Sequence, residues 1–512
     1  MKYKISQIIA HPFLLIIFPI LFLYSNNIHL LTFDGVILPM IGSLFVGFVL
    51  WIIFRLILKH SKKSAILVSV YTVLFFSYGH IFNLFSDDPS QLFELKHEYL
   101  LIPFFAFFVF STYFIVKSKK PFNNATTILN TVSIILVVML MVNIVNYNFS
   151  YSFIDDGVET INSTEIIIEN SPDIYYLIFD AYPNHNTLSK FFEYDNGEFI
   201  SYLNDSGFYV FDKSHSNYVE TFLSISSSLN MKHVNDLSDI VGINSKDQKI
   251  PYEMLNNNLV MQNLKNKGYD IISFDSGYWG TSKINIANEN LCSKSINIDS
   301  TFLYYLKRTT MLDAFDILFL DNAQDYRSNH VREQILCQFS ELSKIQNDAE
   351  KPIFVFNHFL SPHGPYVFGP NGEPASVSLL LSELSPQERK KAFVDQIMFL
   401  NKNIKKIVDE LILESKNPPI IIIQSDHGID VKDWGLTNNP KYLYERHQNL
   451  NAIYFPDGNY DLVYDDLTPV NTFRLVFNTF FNDDYPFVDD TLYHSPFDQP
   501  YNFTDVTELL GQ

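Results

Sequence analysis

Two apolar segments of the chain lead directly into residues that can bind a metal ion. Asp180 ends the run DIYYLIFD, and the run PIIIIQ is followed by Ser425, Asp426, His427 and Gly428. Carboxylate oxygen and imidazole nitrogen are ligands that borderline divalent ions accept. Such residues also serve as helix caps and turn residues, and that interpretation stays open for Asp180 on its own. The adjacent Asp426–His427 pair, with a glycine that permits close backbone approach, favours metal binding.

Thr221 is the candidate nucleophile. It opens the apolar, periodic stretch TFLSISSSLN, so its hydroxyl is predicted at a helix N-terminus. Free backbone N–H groups and the positive end of the helix dipole favour an oxyanion or a phosphate there. A bound metal ion would lower the pKa of the hydroxyl and activate it. Threonine is also a common helix N-cap, so a purely structural role stays open.

The elements that would position these residues belong to an α/β domain. From residue 171 onward, β-rich runs alternate with helical patterns, of which residues 386–415 show the clearest helical period. The runs are 173–180, 208–211, 269–274, 352–358, 419–424 and 451–455. The four consecutive isoleucines of 419–424 predict a strand covered on both faces. This alternation predicts a mostly parallel sheet between helical layers.

Polar residues concentrate beyond the ends of these strands, where sites form in parallel sheets. Asp180 and the Asp426–His427 pair are two such positions. Ser361 to Gly364 follow the run 352–358, and Arg446 and His447 precede the run 451–455. The sequence therefore predicts one site at one edge of the sheet.

The first part of the chain is of a different kind. Five apolar stretches, near 8–25, 36–58, 64–85, 99–116 and 126–146, are each close to the length that crosses a bilayer as a helix. We therefore predict a five-helix transmembrane region over 1–147, a linker over 148–170 and an outer domain over 171–512. The spans hold almost no ionisable residue, which favours an anchor over a transport pathway.

Charge is distributed unevenly along the chain. Residues 1–150 hold ten of the 36 Lys and Arg residues but only five of the 56 Asp and Glu residues, so the remainder is strongly acidic. An acidic outer domain repels phosphate backbones, which excludes nucleic acid as a partner. Within 1–150, lysines and arginine cluster at the N-terminus and in the loops near 56–63 and 117–125. The positive-inside rule then places the N-terminus in the cytoplasm and everything after residue 147 outside.

The motifs together resemble the sulfatase-type branch of the alkaline phosphatase superfamily. The resemblance covers about 172–475 and rests on YLIFDAYP, TFLSISSSLN, PHGPY and IIIIQSDHG, which stand in the family order. Thr221 takes the nucleophile position and Ser224 the serine position, whereas Ile225 stands where the family has arginine. Five spans followed by such a domain, with threonine as nucleophile, resemble lipoteichoic acid synthases and lipid A phosphoethanolamine transferases.

This resemblance implies a three-layer α/β/α sandwich and a bound metal ion, zinc or manganese. It implies Asp180, Thr221, Asp426 and His427 as the metal ligands. It further implies that His363 contacts the phosphate or serves in acid–base chemistry. His447 is implied as a substrate-binding residue, with Ser224 and His358 as additional substrate contacts.

The implied reaction is a two-step transfer in the plasma (inner) membrane. Thr221 attacks the phosphorus of a phospholipid donor, and an envelope glycan or lipid then accepts the phosphoryl group. Threonine in place of Cys or Ser, without the arginine, argues against sulfatase activity. The phosphoethanolamine transferases typically carry several disulfides, whereas this chain has two cysteines, so the transferred group stays open. The alternatives are a metal-dependent hydrolase, either a phosphodiesterase or an atypical sulfatase, and a non-catalytic glycan-binding or protein-binding domain.

The two cysteines, Cys292 and Cys337, both fall in the predicted outer domain, a compartment that permits disulfides. Neither has a metal-type neighbour, and none is left over. We predict that they pair. The alternative is that they are two buried thiols that pack as small apolar groups.

Overall fold

A computed structural model describes residues 8–28, 31, 33–86, 96–152, 171–293, 300–319, 323–345, 351–375, 384–415, 418–431 and 445–508. The chain forms two compact units. The membrane unit comprises Met1–Glu159 and Lys294–Ala323, and the α/β unit comprises Thr160–Ser293 and Gln324–Gln512. Residues 294–323 thus group with the N-terminal helices. Most of the predicted linker, 148–170, lies outside the described residues.

The N-terminal part of the membrane unit consists of α1 (His11–Asn26), α2 (Phe33–Leu58), α3 (Ser61–Ser86), α4 (His97–Lys117) and α5 (Asn123–Ser152). The prediction of apolar N-terminal helices is confirmed. Helices α2 to α5 are long and apolar enough to cross a membrane, whereas α1, with 16 residues, is shorter. The protein is therefore a membrane protein.

Helix α1 is nevertheless buried within the membrane unit. Ile20, Leu21 and Leu23 of α1 share an apolar core with Leu140 and Ile144 of α5. At the other end of α1, the backbone N–H groups of residues 10 and 11 donate to the Asn130 side chain, at 3.1 and 2.8 Å. Because helix α1 lacks a side-chain N-cap of its own, this amide supplies partners for its first N–H groups.

The α/β unit is built on a seven-stranded mixed sheet in the order β2-β7-β6-β1-β5-β3-β4. The strands are β1 (Ile174–Phe179), β2 (Tyr209–Val210), β3 (Asp270–Phe274), β4 (Glu289–Leu291), β5 (Ile353–Phe359), β6 (Ile420–Gln424) and β7 (Asn451–Tyr454). Strands β1, β3, β4, β5 and β6 run parallel, and β7 is antiparallel to both β6 and β2. A separate antiparallel pair is formed by β8 (Tyr493–His494) and β9 (Thr504–Asp505). The predicted mostly parallel sheet is confirmed.

Helices cover both faces of this sheet. They are α6 (His185–Phe192), α7 (Gly197–Asp205), α8 (Thr221–Asn230), α9 (Leu237–Val241), α10 (Lys249–Asn256), α11 (Leu259–Asn266), α12 (Trp279–Ser282), α15 (Ala323–Leu342), α16 (Pro386–Glu414) and α17 (Pro469–Phe480), while α13 (Ser300–Arg308) and α14 (Leu312–Phe319) belong to the membrane unit. Alternate residues of β1 point to opposite faces, as the strand period requires. Leu177 lies in one core with α16 residues such as Phe393, whereas Tyr176 stacks edge-on against Phe473 of α17. The domain is therefore the three-layer sandwich expected from the resemblance.

Cys292 and Cys337 form a disulfide, as predicted. It joins the residue that follows β4 to α15, and both ends lie in the α/β unit. The chain between them contains residues 294–323, which belong to the membrane unit. The disulfide therefore joins two parts of the α/β unit that stand on either side of residues 294–323 in the sequence.

Candidate metal centre

Asp180 is held at the edge of the sheet by β5 and by the loop that follows β5. Its backbone N–H donates to the carbonyl of Phe359 in β5 at 2.9 Å. Its own carbonyl accepts from the N–H of His363 at 3.0 Å. The residue is 4% exposed, so its carboxylate is almost fully removed from water. A buried carboxylate requires a compensating partner, either hydrogen-bond donors or a cation.

The loop after β6 is tied to the loop after β1 by side-chain hydrogen bonds. Asp426 Oδ1 accepts from the backbone N–H of Ala181 at 3.0 Å. The Ser425 hydroxyl accepts from the N–H of Tyr182 at 2.8 Å and donates to the carbonyl of His427 at 2.7 Å. Because β1 and β6 are parallel neighbours, their carboxyl ends already lie side by side. These bonds fix Asp426 against Asp180.

His358 completes a group of ligand atoms. Asp180, His358 and Asp426 are all buried, and each offers one atom that lies within 4.8 Å of the others. Within the described part of the chain, Asp180 Oδ1, Asp426 Oδ2 and His358 Nε2 have no hydrogen-bond partner. Two carboxylates and an imidazole that converge in this way could hold a divalent cation, and their oxygen and nitrogen chemistry suits zinc or manganese.

His427 presents one ring nitrogen to the same place. Its Nδ1 lies 2.8 Å from the carbonyl of Gly428, which can only accept, so Nδ1 carries the proton. In the neutral ring, Nε2 then keeps a free electron pair. Nε2 lies 3.3 Å from Thr221 Oγ1, 3.4 Å from Asp426 Oδ2 and 3.9 Å from Asp180 Oδ1. His427 and Thr221 therefore stand beside the group of three.

Helix α8 brings Thr221 to this point. Thr221 is its first residue, and Glu220 occupies the N-cap position without a side-chain cap bond. One turn later, the Ser224 hydroxyl donates to the backbone carbonyl of Asp426 at 2.6 Å. Ser224 thus ties the helix to the loop after β6, rather than presenting its hydroxyl to a ligand. Since the first N–H groups of a helix lack helical acceptors, the start of α8 suits an anion next to Thr221.

Burial and neighbouring charge set the protonation of these groups. Burial, followed by the nearby carboxylate of Asp426, raises the pKa of Asp180 well above its ordinary value. Burial alone would also raise the pKa of Asp426, but the imidazoles of His427 and His358 lower it. Burial lowers the pKa of His427, and it lowers that of His358 to about 4. Both rings are thus neutral at neutral pH, the form that binds metal.

The other two predicted histidines are not part of this ligand group. His363 is exposed, and its Nδ1 lies 2.9 Å from the Gly364 carbonyl, although its backbone bonds to Asp180. His447 is fully buried, with Nδ1 2.8 Å from the carbonyl of Ser216. Among the described residues, His447 Nε2 has no hydrogen-bond partner. Burial lowers the pKa of His447 to about 3, so the ring is neutral.

A charged pair next to the nucleophile helix was not anticipated. Arg446 Nη2 lies 3.2 Å from Glu220 Oε1, and both side chains are mostly buried. The positive charge of Arg446 opposes the rise that burial causes in the pKa of Asp180, and it adds to the fall that burial causes in the pKa of His427. Arg446 stands beside His447 in the sequence, which was the only available signal. For Glu220 the sequence offered no signal other than its position before Thr221.

The turn that carries Arg446 and His447 is anchored to α6 through Glu445. Glu445 is 2% exposed and accepts from the Thr187 hydroxyl at 2.8 Å and from Lys190 Nζ at 3.0 Å. Both partners lie on α6, which follows the Asp180 loop. Elements after β1 and before β7 therefore hold the turn together.

Fold and site define a membrane protein whose α/β/α domain carries a candidate metal centre at the carboxyl edge of its parallel strands. The family model "Sulfatase" matches residues 192–477, more than half of the chain and all of the named site residues except Asp180. The chain belongs to the sulfatase family, which confirms the resemblance found in the sequence. No curated protein matches the chain in sequence.

Solved structures with similar folds include the integral membrane lipooligosaccharide phosphoethanolamine transferase A from Neisseria meningitidis. That protein is 12% identical, the match covers 92% of this chain and 95% of that one, and the TM-score is 0.37. The periplasmic domain of EptC from Escherichia coli, in complex with Zn, is 10% identical over 66% of this chain and 93% of that one, with a TM-score of 0.40. The phosphoethanolamine transferase EptC domain from Campylobacter jejuni is 15% identical over 66% and 97%, with a TM-score of 0.38.

Proposed function

We propose that this chain is a membrane-anchored, metal-dependent phosphotransferase. It would take a phosphoester head group from a phospholipid and pass it to an envelope glycan or lipid through a phospho-threonine intermediate at Thr221. The observation that carries the proposal is the position of the Thr221 hydroxyl. It lies at the start of α8 and 3.3 Å from His427 Nε2, next to the buried group of Asp180, His358 and Asp426.

Asp180, Asp426 and His427 would hold the metal ion together with Thr221, and His358 is a further candidate ligand. The bound ion would lower the pKa of the threonine hydroxyl and neutralise charge on the phosphoryl group. Zinc and manganese both suit this set of oxygen and nitrogen donors. This assignment is supported by side-chain atoms of Asp180, His358 and Asp426 that have no hydrogen-bond partner among the described residues.

In the first step, Thr221 Oγ1 gives up its proton and forms a bond to phosphorus, while the bond from phosphorus to the diacylglycerol oxygen breaks. That oxygen takes a proton and leaves as the diacylglycerol hydroxyl. The backbone N–H groups at the start of α8 face the charge that develops on the phosphoryl oxygens. Arg446, held by Glu220, adds positive charge beside the site.

In the second step, an acceptor hydroxyl attacks the same phosphorus and the Thr221–phosphorus bond breaks. The acceptor proton is lost and Thr221 is regenerated. His363 is our candidate for moving these protons, because its side chain is exposed while its backbone bonds to Asp180. His447 and its unshared Nε2 are the candidate contact for substrate.

The membrane helices support a lipid donor, since they hold the enzyme in the bilayer that contains it. We place the N-terminus in the cytoplasm and the α/β unit outside the plasma (inner) membrane, following the basic loops. The outward side is where envelope glycans and lipids would be available as acceptors.

The test is mass spectrometry of the Thr221 peptide after the full chain, in detergent or nanodiscs, is mixed with phospholipids and quenched in acid. A mass increase equal to a phosphorylated head group supports the proposal and identifies the transferred group. The Thr221→Val variant, which keeps the shape but lacks the hydroxyl, must show no adduct. An unmodified peptide under conditions of measurable turnover contradicts the covalent mechanism. Head group found on a glycan or lipid indicates a transferase, and free head group indicates a hydrolase.

A further inference from the structure

The membrane unit contains a segment that is separated by sequence from the N-terminal helices. Residues 300–319, which we call the return segment, comprise α13, a turn and α14. The described residues before and after it, 171–293 and 324–345, belong to the α/β unit. Some of its side chains are buried against the N-terminal helices, and others are exposed.

The return segment packs on one face of α3. The N–H of Met311 donates to the carbonyl of Phe75 at 3.0 Å, and the Asn83 side chain donates to the carbonyl of Arg308 at 3.4 Å. Between them, a Cβ added to Gly79 would overlap the backbone of residues 308 and 309. Positions 75, 79 and 83 are four apart, so they form one stripe along the helix. Glycine at 79 is what permits backbone-to-backbone approach there.

An ion cluster holds the start of α14 in place. Asp313 Oδ2 lies 3.7 Å from Arg308 Nη1 and 3.9 Å from His97 Nε2, the latter at the start of α4. Asp313 is 4% exposed, and Tyr78 of α3 donates to the carbonyl of His97 at 3.2 Å. A buried carboxylate requires such partners, so the segment is docked by specific contacts as well as by apolar packing.

One face of the return segment is buried in the membrane unit. Phe302 is fully buried and Leu306 is 9% exposed, and both belong to the apolar core formed with α1, α2 and α5. Four large apolar side chains of the return segment are exposed instead. They are Leu303, Tyr304, Leu312 and Phe315, with exposed fractions of 36, 38, 43 and 58%, and we call them the exposed face.

Other parts of the membrane unit also expose apolar side chains. Helices α2 and α4 expose many large apolar side chains in the same compact unit, as helices facing acyl chains do. The last turn of α13 carries Lys307 and Arg308, next to Tyr304. Basic side chains and tyrosine beside an apolar face are typical of the head-group boundary of a bilayer.

We propose that the return segment is a second membrane attachment of this chain. Leu303, Tyr304, Leu312 and Phe315 would insert at the boundary between head groups and acyl chains. The leaflet is the one nearer the carboxyl end of α3, since the contacts fall on residues 75 to 83 of a helix that ends at 86. Lys307, in the last turn of α13, would face the phosphates. This proposal does not depend on the reaction proposed for Thr221.

The test measures the depth of a spin label at Phe315→Cys in the full chain, reconstituted in vesicles of phosphatidylethanolamine and phosphatidylglycerol. Both natural cysteines are paired, so the introduced thiol alone is labelled. The control is Phe497→Cys in the α/β unit, where the side chain is 79% exposed. We expect the label at 315 to collide several-fold more with oxygen than with a water-soluble nickel complex, and the label at 497 to show the reverse. Equal access of the nickel complex to both positions overturns the proposal. Spin–spin broadening at 315, which indicates a second copy on this face, overturns it too.

Docking is tested by Gly79→Leu on the Phe315→Cys background. The larger side chain overlaps the 308–309 backbone, so we expect the label to become more mobile and its depth to change. The matched control is Gly42→Leu in α2, because a Cβ at Gly42 meets nothing within 4 Å. If Gly79→Leu abolishes insertion of the protein, Asp313→Asn replaces it, since it removes the charge that pairs with Arg308. A label at 315 that is indifferent to both changes overturns the docking contacts described above.

Discussion

At the scale of single residues, the proposed chemistry depends on one hydroxyl. We expect Thr221→Val to lower turnover about a thousandfold or more, because the substitution removes the nucleophile and keeps the shape. Thr221→Ser restores a hydroxyl at the same position, so it should retain measurable turnover. Head-group release from phospholipid is the assay. Equal turnover by the valine variant and the parent would remove Thr221 from the mechanism.

The metal assignment makes a separate prediction. We expect Asp426→Asn and His358→Gln each to weaken metal affinity about 100-fold or more, since each removes a buried donor from the group around Asp180. Metal content after dialysis at low free zinc or manganese is the measurement. Asp498→Asn, at an exposed position, is the control and should leave the stoichiometry unchanged. Parent-like retention by His358→Gln alone would limit His358 to a supporting role.

Part of this candidate site was predictable from the sequence, because some of its residues stand in a recognisable local pattern. Asp426 and His427 are adjacent and follow a fully apolar strand, and Asp180 ends another. His358 was predicted only as a substrate contact, because its place beside Asp180 depends on the pairing of β1 with β5. The Arg446–Glu220 pair, whose members are 226 positions apart, was not predictable. Long-range contacts of this kind leave no periodic signal.

At the scale of elements, Gly428 connects the loop after β6 to the turn that carries Arg446 and His447. Its N–H donates to the carbonyl of Arg446 at 2.7 Å, and an added Cβ would lie 2.7 Å from the carbonyl oxygen of Glu445. We expect Gly428→Ala to push this turn away and to destabilise the protein by about 1–3 kcal/mol, the cost typical of overpacking. Because the turn borders the site, head-group release should fall as well.

The control for Gly428→Ala is Gly197→Ala at the first position of α7. The nearest atom to a Cβ there is the carboxylate oxygen of Asp195, at 2.9 Å, and that side chain can move. Denaturant unfolding and turnover are measured for both variants. A Gly428→Ala protein as stable and active as the Gly197→Ala protein would show that the turn tolerates displacement.

Elements with long apolar runs were predictable and short ones were not. Strands β1, β5 and β6 are buried along their whole length, so their sequences are mostly apolar. Strand β4 has the sequence ENL and is partly exposed, and β8 and β9 have two residues each, so they lack any such run. The packing of the return segment in the membrane unit was also not predictable from the sequence. An amphipathic helix has the same period whether its apolar face covers a sheet or packs on membrane helices.

At the scale of the whole molecule, the disulfide constrains how the α/β unit unfolds. Cys292 and Cys337 are 45 positions apart. Closing a loop of that length lowers the entropy of the unfolded chain, worth about 4 kcal/mol on the chain-entropy account. We expect the double variant Cys292→Ser, Cys337→Ser to lose stability of that order in urea titrations followed in detergent. Saturable metal binding should persist, because neither cysteine is a ligand. Unchanged unfolding midpoints would show that the core alone sets the stability of this unit.

The last prediction concerns which side of the membrane holds the α/β unit, and it depends on α1. This helix is short, yet its start is bonded to Asn130 near the beginning of α5 and its end packs on Leu140 and Ile144 further along α5. Helices α1 and α5 therefore run in the same direction for about 20 Å, at 1.5 Å per residue of α5. If α5 crosses the bilayer, α1 crosses it in the same sense, which gives five crossings. The N-terminus and the loop before α5 then lie on one side, and the α/β unit lies on the other.

Thiol labelling in intact cells tests this topology, because both natural cysteines are paired. Single cysteines are placed ahead of Met1, at Lys119 in the loop before α5 and at Phe497 in the α/β unit. With a maleimide that cannot cross membranes, we expect Phe497→Cys to react in intact cells and the other two to react only after permeabilisation. Since four helices separate Met1 from Lys119 when α1 crosses, and three when it does not, reaction of these two positions from opposite sides would show that α1 stays on one side. Reaction of Lys119→Cys but not Phe497→Cys in intact cells would place the α/β unit in the cytoplasm, away from any envelope acceptor.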